Sequence, residues 1–424
     1  MEQVYEKREA LPATLQFSKT LPKQLGGSST RRVICTPKNG SEFDPGSGYC
    51  LIDLIRTPNS ALDTRNSVLK FSVTTDATAS NDGFLVGGAW AFIDSIEISH
   101  NGVQWENIRG FSTLYNILFD CTVDATDRNS KKILYGSSVD ANQTTFGIAI
   151  AASTTNTFAI PLLGCLGMQT GVNLPTFDLA GYLTLRVNFN PSYRAIKNTT
   201  NPAALPAYKI KNVQFHCIYN ELSETSLKMV SSPTYRIATQ TWSHWSTVMS
   251  SGTVINQLVP FRVRDLRQIL VCFRRQSDDT DPTKSATTRL TLDINDYAFY
   301  INGVTMPPTR VKCSESDYVE PYLELSKSFH KEPGDVTGLG YIHSAYYKSN
   351  TPSTARAQFV IGLDCESFSG YNQEIEAGID TTMSDIVFSA TLNTDLGNNA
   401  TLIEFYCLYG MELLIENGQS MVIF

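Results

Sequence analysis

A chain of 424 residues is too long for one hydrophobic core, because a single core stops growing at roughly 250–300 residues. Its content of 42% hydrophobic and 10% aromatic residues argues against wholesale disorder. The formal net charge of −7 excludes a general electrostatic attraction to nucleic acids or to anionic membranes.

The segment 1–32 differs in charge from the rest of the chain. It has a balance of +3, which leaves −10 for the remainder. Its basic residues are Lys7, Arg8, Lys19, Lys23, Arg31 and Arg32. We predict a basic N-terminal arm over 1–32 that contacts a polyanion, or else a solvated and flexible terminus. The segment lacks the apolar stretch of a secretory signal.

Strand-like alternation dominates the remaining sequence. Leu183, Leu185, Val187 and Phe189 alternate with polar residues, as in a strand with one buried face. Further strands are predicted at 50–57, 67–74, 92–99, 147–151, 158–162, 209–222, 254–262, 268–274, 290–294, 297–301, 357–363, 385–392, 405–409 and 411–415. Turn-rich segments separate them. This spacing is typical of all-β sandwiches or barrels, not of βαβ units.

Helical periodicity is rare. Residues 106–119 place apolar side chains on one stripe and predict a short amphipathic helix, with a weaker candidate at 317–329. Residues 223–250 predict a linker that runs into the next strand. Trp242 and Trp245 in this segment are expected to pack at a domain junction, or alternatively to form a carbohydrate-stacking platform.

An internal repeat divides the chain. The segment 405–409 (Phe-Tyr-Cys-Leu-Tyr) repeats the pattern of 215–219 (Phe-His-Cys-Ile-Tyr). Asn101-Gly102 returns as Asn302-Gly303, and the same displacement brings 68–69 onto 269–270. Asn-Gly is a strong signal for a type I′ hairpin turn. The sequence therefore predicts two similar domains in tandem.

No catalytic or metal-binding motif is present. HExxH, GxSxG, GxxxxGK[ST] and GxGxxG after a strand are all absent, so we predict no catalytic residue, cofactor site or metal site. The histidines, His100, His216, His244, His330 and His343, lack metal-ligand spacing, and His100 is expected to be solvated. The nine cysteines lie singly along the chain, which favours reduced thiols and a cytosolic or nuclear setting.

Two acidic clusters are candidate sites. Asp278, Asp279 and Asp281, next to Pro282, suit either a solvated turn or a Ca²⁺ site, although they lack the rest of a calcium-loop pattern. A second run supplies either a helix face or the paired carboxylates of a glycosidase. That run consists of Glu315, Asp317, Glu320 and Glu324.

Two segments resemble the double jelly-roll major capsid proteins. Residues 96–110, with the Asn101-Gly102 turn, and the following Leu114-Tyr115-Asn116 look like the strand, hairpin and helix of the first jelly roll. The C-terminal segments 407–409 and 413–415 and the Asn417-Gly418 turn look like the end of the second. The nearest resemblance is to the virophage, Polinton-like and adintovirus group, of the adenovirus hexon lineage.

The resemblance implies an all-β fold of two tandem eight-stranded antiparallel jelly-roll sandwiches with a few short helices. It places the arm at 1–32, the first jelly roll at 33–225 and the second at 226–424. It also implies a non-enzymatic major capsid protein that forms homotrimeric, pseudo-hexameric capsomers of an icosahedral shell. The long segments 120–180 and 305–355 are then expected to be outward towers or inter-subunit loops.

The same resemblance implies partners and a location. The chain is expected to bind itself, neighbouring capsomers and penton or minor capsid proteins, with the arm touching an internal membrane or the genome. It implies no small-molecule substrate, and assembly of the virion in the host cytoplasm or nucleus. Two other functions stay open: a jelly-roll carbohydrate-binding or glycan-active protein, with Trp242, Trp245 and the acidic run as candidates, and a viral spike or receptor-binding protein.

Overall fold

The computed structural model describes residues 29–46, 48–76, 83–137, 147–167, 173–198, 207–281, 283–285, 288–331, 339–340, 342, 344–350, 357–366, 378–396 and 400–423. Most of the predicted arm, residues 1–28, therefore lies outside the described residues, as do His343 and Pro282. We call residues 29–221 the first half and residues 234–423 the second half.

The described residues of the first half form twelve strands and four helices. The strands are β1 (Ser29–Cys35), β2 (Glu42–Phe43), β3 (Tyr49–Leu54), β4 (Ser60–Thr75), β5 (Gly83–Leu85), β6 (Ile93–His100), β7 (Val103–Ile108), β8 (Ala149–Ile150), β9 (Thr155–Ile160), β10 (Leu183–Phe189), β11 (Ile196–Asn198) and β12 (Tyr208–Glu221). The helices are α1 (Phe111–Thr122), α2 (Ala125–Ser130), α3 (Lys132–Tyr135) and α4 (Ser192–Ala195). Helical turns of the 3₁₀ type span Ala89–Phe92 and Gly164–Leu166.

The second half follows helix α5 (Glu224–Val230). Its strands are β13 (Thr234–Met249), β14 (Val254–Val259), β15 (Leu266–Arg275), β16 (Ile294–Ile301), β17 (Val304–Lys312), β18 (Ile361–Asp364), β19 (Ile386–Leu392), β20 (Thr401–Glu416) and β21 (Gln419–Ile423). Its helices are α6 (Val319–Lys327) and α7 (Ser344–Tyr347), and a 3₁₀ turn spans Gln276–Asp279.

Both halves have the same strand order. In the first, a sheet β1-β12-β4-β9 accompanies a sheet β3-β10-β6-β7; in the second, β13-β20-β15-β18 accompanies β14-β19-β16-β17. Strand β2 also pairs with β12 and β21 with β20, and β11-β5-β8 form a small third sheet in the first half. All strand pairs are antiparallel. Each half is thus a sandwich of two sheets with eight main strands, as predicted.

Aromatic side chains join the two sheets of each sandwich. Phe43 packs on Phe189 across the first, with ring centroids 5.7 Å apart. Phe388 packs on both Phe273 and Phe405 across the second, at 6.2 and 5.7 Å. The alternation predicted for 183–189 is confirmed, because its four apolar residues are buried and the residues between them are partly exposed. Burial of one face per strand is what holds each sandwich together.

The internal repeat is confirmed at the level of strands. Phe215 on β12 and Phe405 on β20 occupy the same position, each on a strand flanked by two partners. Both Asn-Gly pairs form hairpin turns with positive φ, 49° and 84° at Asn101-Gly102 and 52° and 75° at Asn302-Gly303. One detail of the alignment was wrong. Leu69 lies opposite Phe215 whereas Val271 lies opposite Phe405, so Leu69 corresponds to Val271, one position beyond the predicted partner.

Three predicted elements were wrong. Residues 223–250 are not a linker, because they form α5 and the sixteen-residue strand β13. Residues 106–108 belong to β7, and helix α1 begins only at Phe111, after Gly110 with φ 59°. The segment 290–293 precedes β16 without being a strand, and Leu292 and Asp293 have positive φ. Alternating apolar residues therefore do not suffice to make a strand here.

Candidate assembly surfaces and the seam between the halves

The two halves meet along a seam, by which we mean the contacts between the first half and the second half. Part of it is a hydrogen-bonded cluster around Ser420 on β21. Its hydroxyl lies 2.6 Å from His100 Nδ1 and accepts from Trp105 Nε1 at 2.8 Å. His100 Nε2 lies 2.7 Å from the Ala180 carbonyl oxygen, which can only accept, so Nε2 carries the proton and Ser420 donates to Nδ1. His100 is 1% exposed, so the prediction of a solvated histidine was wrong.

Glu106 on β7 is a buried carboxylate at the seam. It accepts from the Cys165 backbone N–H at 3.1 Å and from the Thr241 hydroxyl of β13 at 2.9 Å. Burial raises the pKa of Glu106 to about 7, although these hydrogen bonds and the Cys165 thiol oppose the rise. Among the described residues it forms no ion pair. Its neutral form is therefore unusually favoured for a glutamate.

Glu404 on β20 is a second buried carboxylate, and its pKa is shifted in the opposite direction to that of Glu106. Arg274 donates to both of its oxygens, through Nε at 2.7 Å and Nη2 at 3.1 Å. His244 Nε2 lies 3.6 Å from the same carboxylate. Burial alone would raise the pKa of Glu404, but the Arg274 charge and the contacts with His244 hold it well below its ordinary value. This carboxylate is therefore held ionised.

The Glu404 ion pair continues across the seam. Arg274 also contacts Asp279 at 2.5 Å, and Asp279 accepts from Arg194 of the first half at 2.8 Å. A separate pair joins Asp120 on α1 to Arg289 at 2.5 Å, and Asp120 also pairs with Arg128 at 2.8 Å. Both arginines of this second group are fully buried. Removing one partner of such a buried pair leaves an uncompensated charge, so the seam depends on the geometry of both groups.

The interpretation of the acidic cluster at 278–281 as a solvated turn was wrong. Asp278 and Asp279 are buried in the 3₁₀ turn, at 6% and 8% exposure. Asp281 accepts from the backbone and side chain of Thr283 and caps a local turn. In the part of the chain that the structure describes, no group of three or more His, Cys, Asp or Glu side chains is placed to hold a metal ion.

The carbohydrate-site candidates do not form a binding platform. Trp242 is 2% exposed and lines a small cleft at the seam with Leu118. Trp245 packs on Phe405 at 5.4 Å within the second half. In the acidic run, Glu320 accepts from the Lys312 backbone N–H and Glu324 pairs with Lys327, so these side chains are engaged locally around α6.

The outer faces of the sheets β3-β10-β6-β7 and β14-β19-β16-β17 carry different kinds of side chain. In the second half, Leu258, Val387 and Tyr300 lie side by side across β14, β19 and β16, and we call them the apolar row. The same positions in the first half form the polar row, Asp53, Thr184 and Ser99 on β3, β10 and β6. Leu258 is 51% exposed. The apolar row is thus a candidate assembly surface that the sequence alone did not reveal.

The polar row is embedded in a network of charges. Lys38 pairs with Asp53 at 2.8 Å, and the Thr184 hydroxyl donates to Asp53 at 2.7 Å. Beside it, Arg186 lies over the Tyr49 ring at 4.5 Å from its centroid. Neither row could be predicted from the sequence, because each depends on the register between strands. The register of β14, for example, depends on partners more than one hundred residues away.

Within the described residues, no helix has the length and apolar character needed to span a bilayer. No protein-family profile matches the sequence, and no curated protein is detectably similar to it. The fold does have known counterparts. A protein of the PBCV-1 virus capsid is similar, at 12% identity and a TM-score of 0.65, over 96% of this chain and 99% of that one.

Two further solved structures are similar over nearly their whole length. The Faustovirus major capsid protein has 8% identity and a TM-score of 0.54, over 95% of this chain and 93% of that one. The mavirus major capsid protein has 10% identity and a TM-score of 0.51, over 100% and 95%. The chain is therefore a double jelly roll. Its fold is that of the viral major capsid proteins it resembles, which confirms the predicted fold class.

Proposed function

We propose that this protein is a non-enzymatic major capsid protein that builds an icosahedral viral shell. The observation that carries the proposal is the pair of sandwiches with one strand order, joined in one chain by buried ion pairs. Two rigidly connected and similar sandwiches give a subunit two equivalent building blocks. A symmetric oligomer of such subunits has two similar sandwiches per chain at its perimeter. It can therefore contact its neighbours through more near-equivalent edges than it has chains. The similarity in fold to known capsid proteins supports the same role.

We further propose that the capsomer is a homotrimer whose six jelly rolls form a pseudo-hexamer. In this arrangement the jelly rolls occupy 33–225 and 226–424, with the arm at 1–32. The apolar row supports self-association, because apolar side chains aligned across three strands, exposed at Leu258 and partly exposed at Val387 and Tyr300, are stabilised by contact with another apolar surface. We assign this row to the contact between subunits.

Further partners belong to the same proposal. The basic balance of the segment 1–32 supports an interior location for the arm, against an internal membrane or the genome. Penton or minor capsid proteins would close the vertices of the shell. Assembly would take place in the host cytoplasm or nucleus, where free thiols persist. The nine buried, unpaired cysteines fit a reducing setting.

The test is the mass of the purified protein. One chain has a mass of 46.9 kDa, and we expect a particle of three times that mass in size-exclusion chromatography with light scattering. Electron microscopy of concentrated protein should then show hexagonal or triangular particles. A monomer at every concentration measured would contradict the proposal, and so would trimers that never associate further.

A glycan-active protein is disfavoured by the positions of its candidate residues. Trp242 is buried, Trp245 packs on Phe405, and Glu320 and Glu324 are engaged around α6. A spike or receptor-binding protein is the remaining alternative. It would form an oligomer without tiling into sheets or shells, so the same micrographs distinguish it.

A further inference from the structure

Two buried thiols face each other between β1 and β12. The sulfur atoms of Cys35 and Cys217 lie 3.8 Å apart, and each side chain is at most 2% exposed. Cys217 lies opposite Val33 and Cys35 lies opposite Phe215, so the two cysteines are diagonal neighbours on one face of the sheet. Diagonal neighbours on adjacent strands lie about 7–8 Å apart, at the upper limit of the span of a disulfide, so a bond between the two sulfur atoms requires a shift of the strand as well as rotation of the side chains.

The second half lacks this thiol pair. Cys407 on β20 occupies the position of Cys217, because it follows Phe405 by two residues as Cys217 follows Phe215. The position of Cys35, opposite the phenylalanine, is filled by Trp245. The pair is therefore specific to the first half, and Cys407 provides a matched reference with the same burial.

The strand that carries Cys35 is the one best able to open. Strand β1 has seven residues and, among the described strands, pairs only with β12; most of its side chains are exposed. Short edge strands open locally at a lower free energy than central strands. Opening of β1 displaces Cys35 together with the strand and removes the neighbour that pairs with β12 beside Cys217.

The two thiols also differ in acidity. The hydrogen bond with Cys217 lowers the pKa of Cys35 to about 7, and burial opposes this only in part. The same contact raises the pKa of Cys217, and burial raises it further. Cys35 is therefore the thiol that ionises first, and Cys217 is the thiol that retains its proton.

We propose that Cys35 and Cys217 are a dithiol modification site that takes up a low-molecular-weight disulfide oxidant. The Cys35 thiolate attacks one sulfur of oxidised glutathione, which forms a mixed disulfide and releases one glutathione thiolate. Cys217 then loses its proton to solvent and displaces the second glutathione from Cys35. Two protein thiols are oxidised to one disulfide, and one glutathione disulfide is reduced to two thiols.

The resulting bond ties β1 to the central strand of its sheet. Because residues 1–28 continue directly from β1, oxidation would fix the strand from which the predicted arm emerges. This inference rests on the thiol geometry and on the edge position of β1, and it does not depend on the proposed capsid function. It concerns the native full-length chain in any oligomeric state.

The experiment oxidises the native protein with excess oxidised glutathione near pH 8 and counts thiols after denaturation. We expect the count to fall from nine to seven, with one disulfide-linked peptide pair that contains Cys35 and Cys217. Nine remaining thiols, or a disulfide between other cysteines, would overturn the proposal. Mass spectrometry without reduction identifies the linked peptides.

Variants separate this pair from general oxidation. Cys35→Ala and Cys217→Ala should each abolish the linked peptide, whereas Cys407→Ala should leave it intact. Hydrogen exchange of the β1 amides should slow at least tenfold in the oxidised parent, and no such slowing should occur in Cys35→Ala. Equal exchange of β1 before and after oxidation would show that the bond does not restrain the strand.

Discussion

The first and second halves place the same strands in the same order, and yet they expose different side chains. Leu258, Val387 and Tyr300 of the apolar row stand where Asp53, Thr184 and Ser99 stand in the polar row. The cores of both halves are largely apolar. Packing restricts the inner face to apolar residues of suitable volume, whereas the outer face can diversify at little cost in stability.

The two buried carboxylates at the seam also differ between the halves. Glu106, from the first half, is held by hydrogen bonds from Cys165 and Thr241. Glu404, from the second half, is paired with Arg274. Both are fully covered, but the pKa of Glu106 is raised and that of Glu404 is lowered. The sign of each shift depends on whether a cation is buried with the carboxylate.

The largest effect is expected from breaking the Glu404 pair. Arg274→Ala leaves Glu404 and Asp279 buried without their shared cation, at a cost of about 3–5 kcal/mol in the free energy of unfolding. Chemical denaturation at pH 7 measures this cost. Arg262→Ala is the matched control, because its pair with Asp385 is exposed and contributes less than about 1 kcal/mol. Equal costs for the two variants would contradict the assigned role of the buried pair.

The second effect is a pH dependence due to Glu106. Its folded pKa of about 7 exceeds its ordinary value of 4.5, so the folded state binds more protons between these pH values. The stabilisation is complete below pH 4.5 and is lost as pH rises to about 7, by about 3 kcal/mol in total. Glu106→Gln should remove this slope, which denaturant midpoints measured across pH 4.5–8 would reveal.

The Glu404 contribution runs in the opposite direction. Its folded pKa is depressed, so its stabilisation is present above about pH 4.5 and is lost as pH falls further. The decrease of stability with rising pH that Glu106→Gln removes should therefore be confined to the range above pH 4.5. An unchanged slope in that range would mean that Glu106 does not titrate there.

A smaller effect is expected on self-association. Leu258→Glu places a charge in the apolar row and should raise the dissociation constant of the oligomer at least tenfold, or about 1.4 kcal/mol. Sedimentation velocity over a range of concentrations measures it. Leu51→Glu makes the same change on the outer face of β3 and should leave association unchanged. If both variants weaken association equally, the two outer faces are not distinct.

The smallest effect tests what the halves share. Gly102 and Gly303 have positive φ, and a Cβ added at either position would meet no atom within 4 Å. Gly102→Ala and Gly303→Ala should therefore each cost only the backbone strain, about 1 kcal/mol. Thermal unfolding of the two variants compares them directly. A cost above about 3 kcal/mol at one position, well beyond backbone strain, would show that the two hairpins are not equivalent.

The sequence predicted the elements whose signals are local. Alternation at 183–189, the two Asn-Gly turns and the repeat of 215–219 at 405–409 were all confirmed as strand or hairpin features. Strand β13 was missed, because its polar residues face partners on β20 and the first half that lie far away in sequence. The candidate sites were missed for the same reason: Glu106 and Thr241 are 135 residues apart.

The sequence by itself determined that this chain is a duplicated all-β protein, because strand periodicity and turn chemistry act over a few residues. Tertiary structure alone decided that Glu106 is buried without a cation, that Cys35 faces Cys217 and that Leu258, Val387 and Tyr300 form one row. These features depend on strand register and on contact between the halves. Register is set by the fit of whole sheets, which no local pattern encodes.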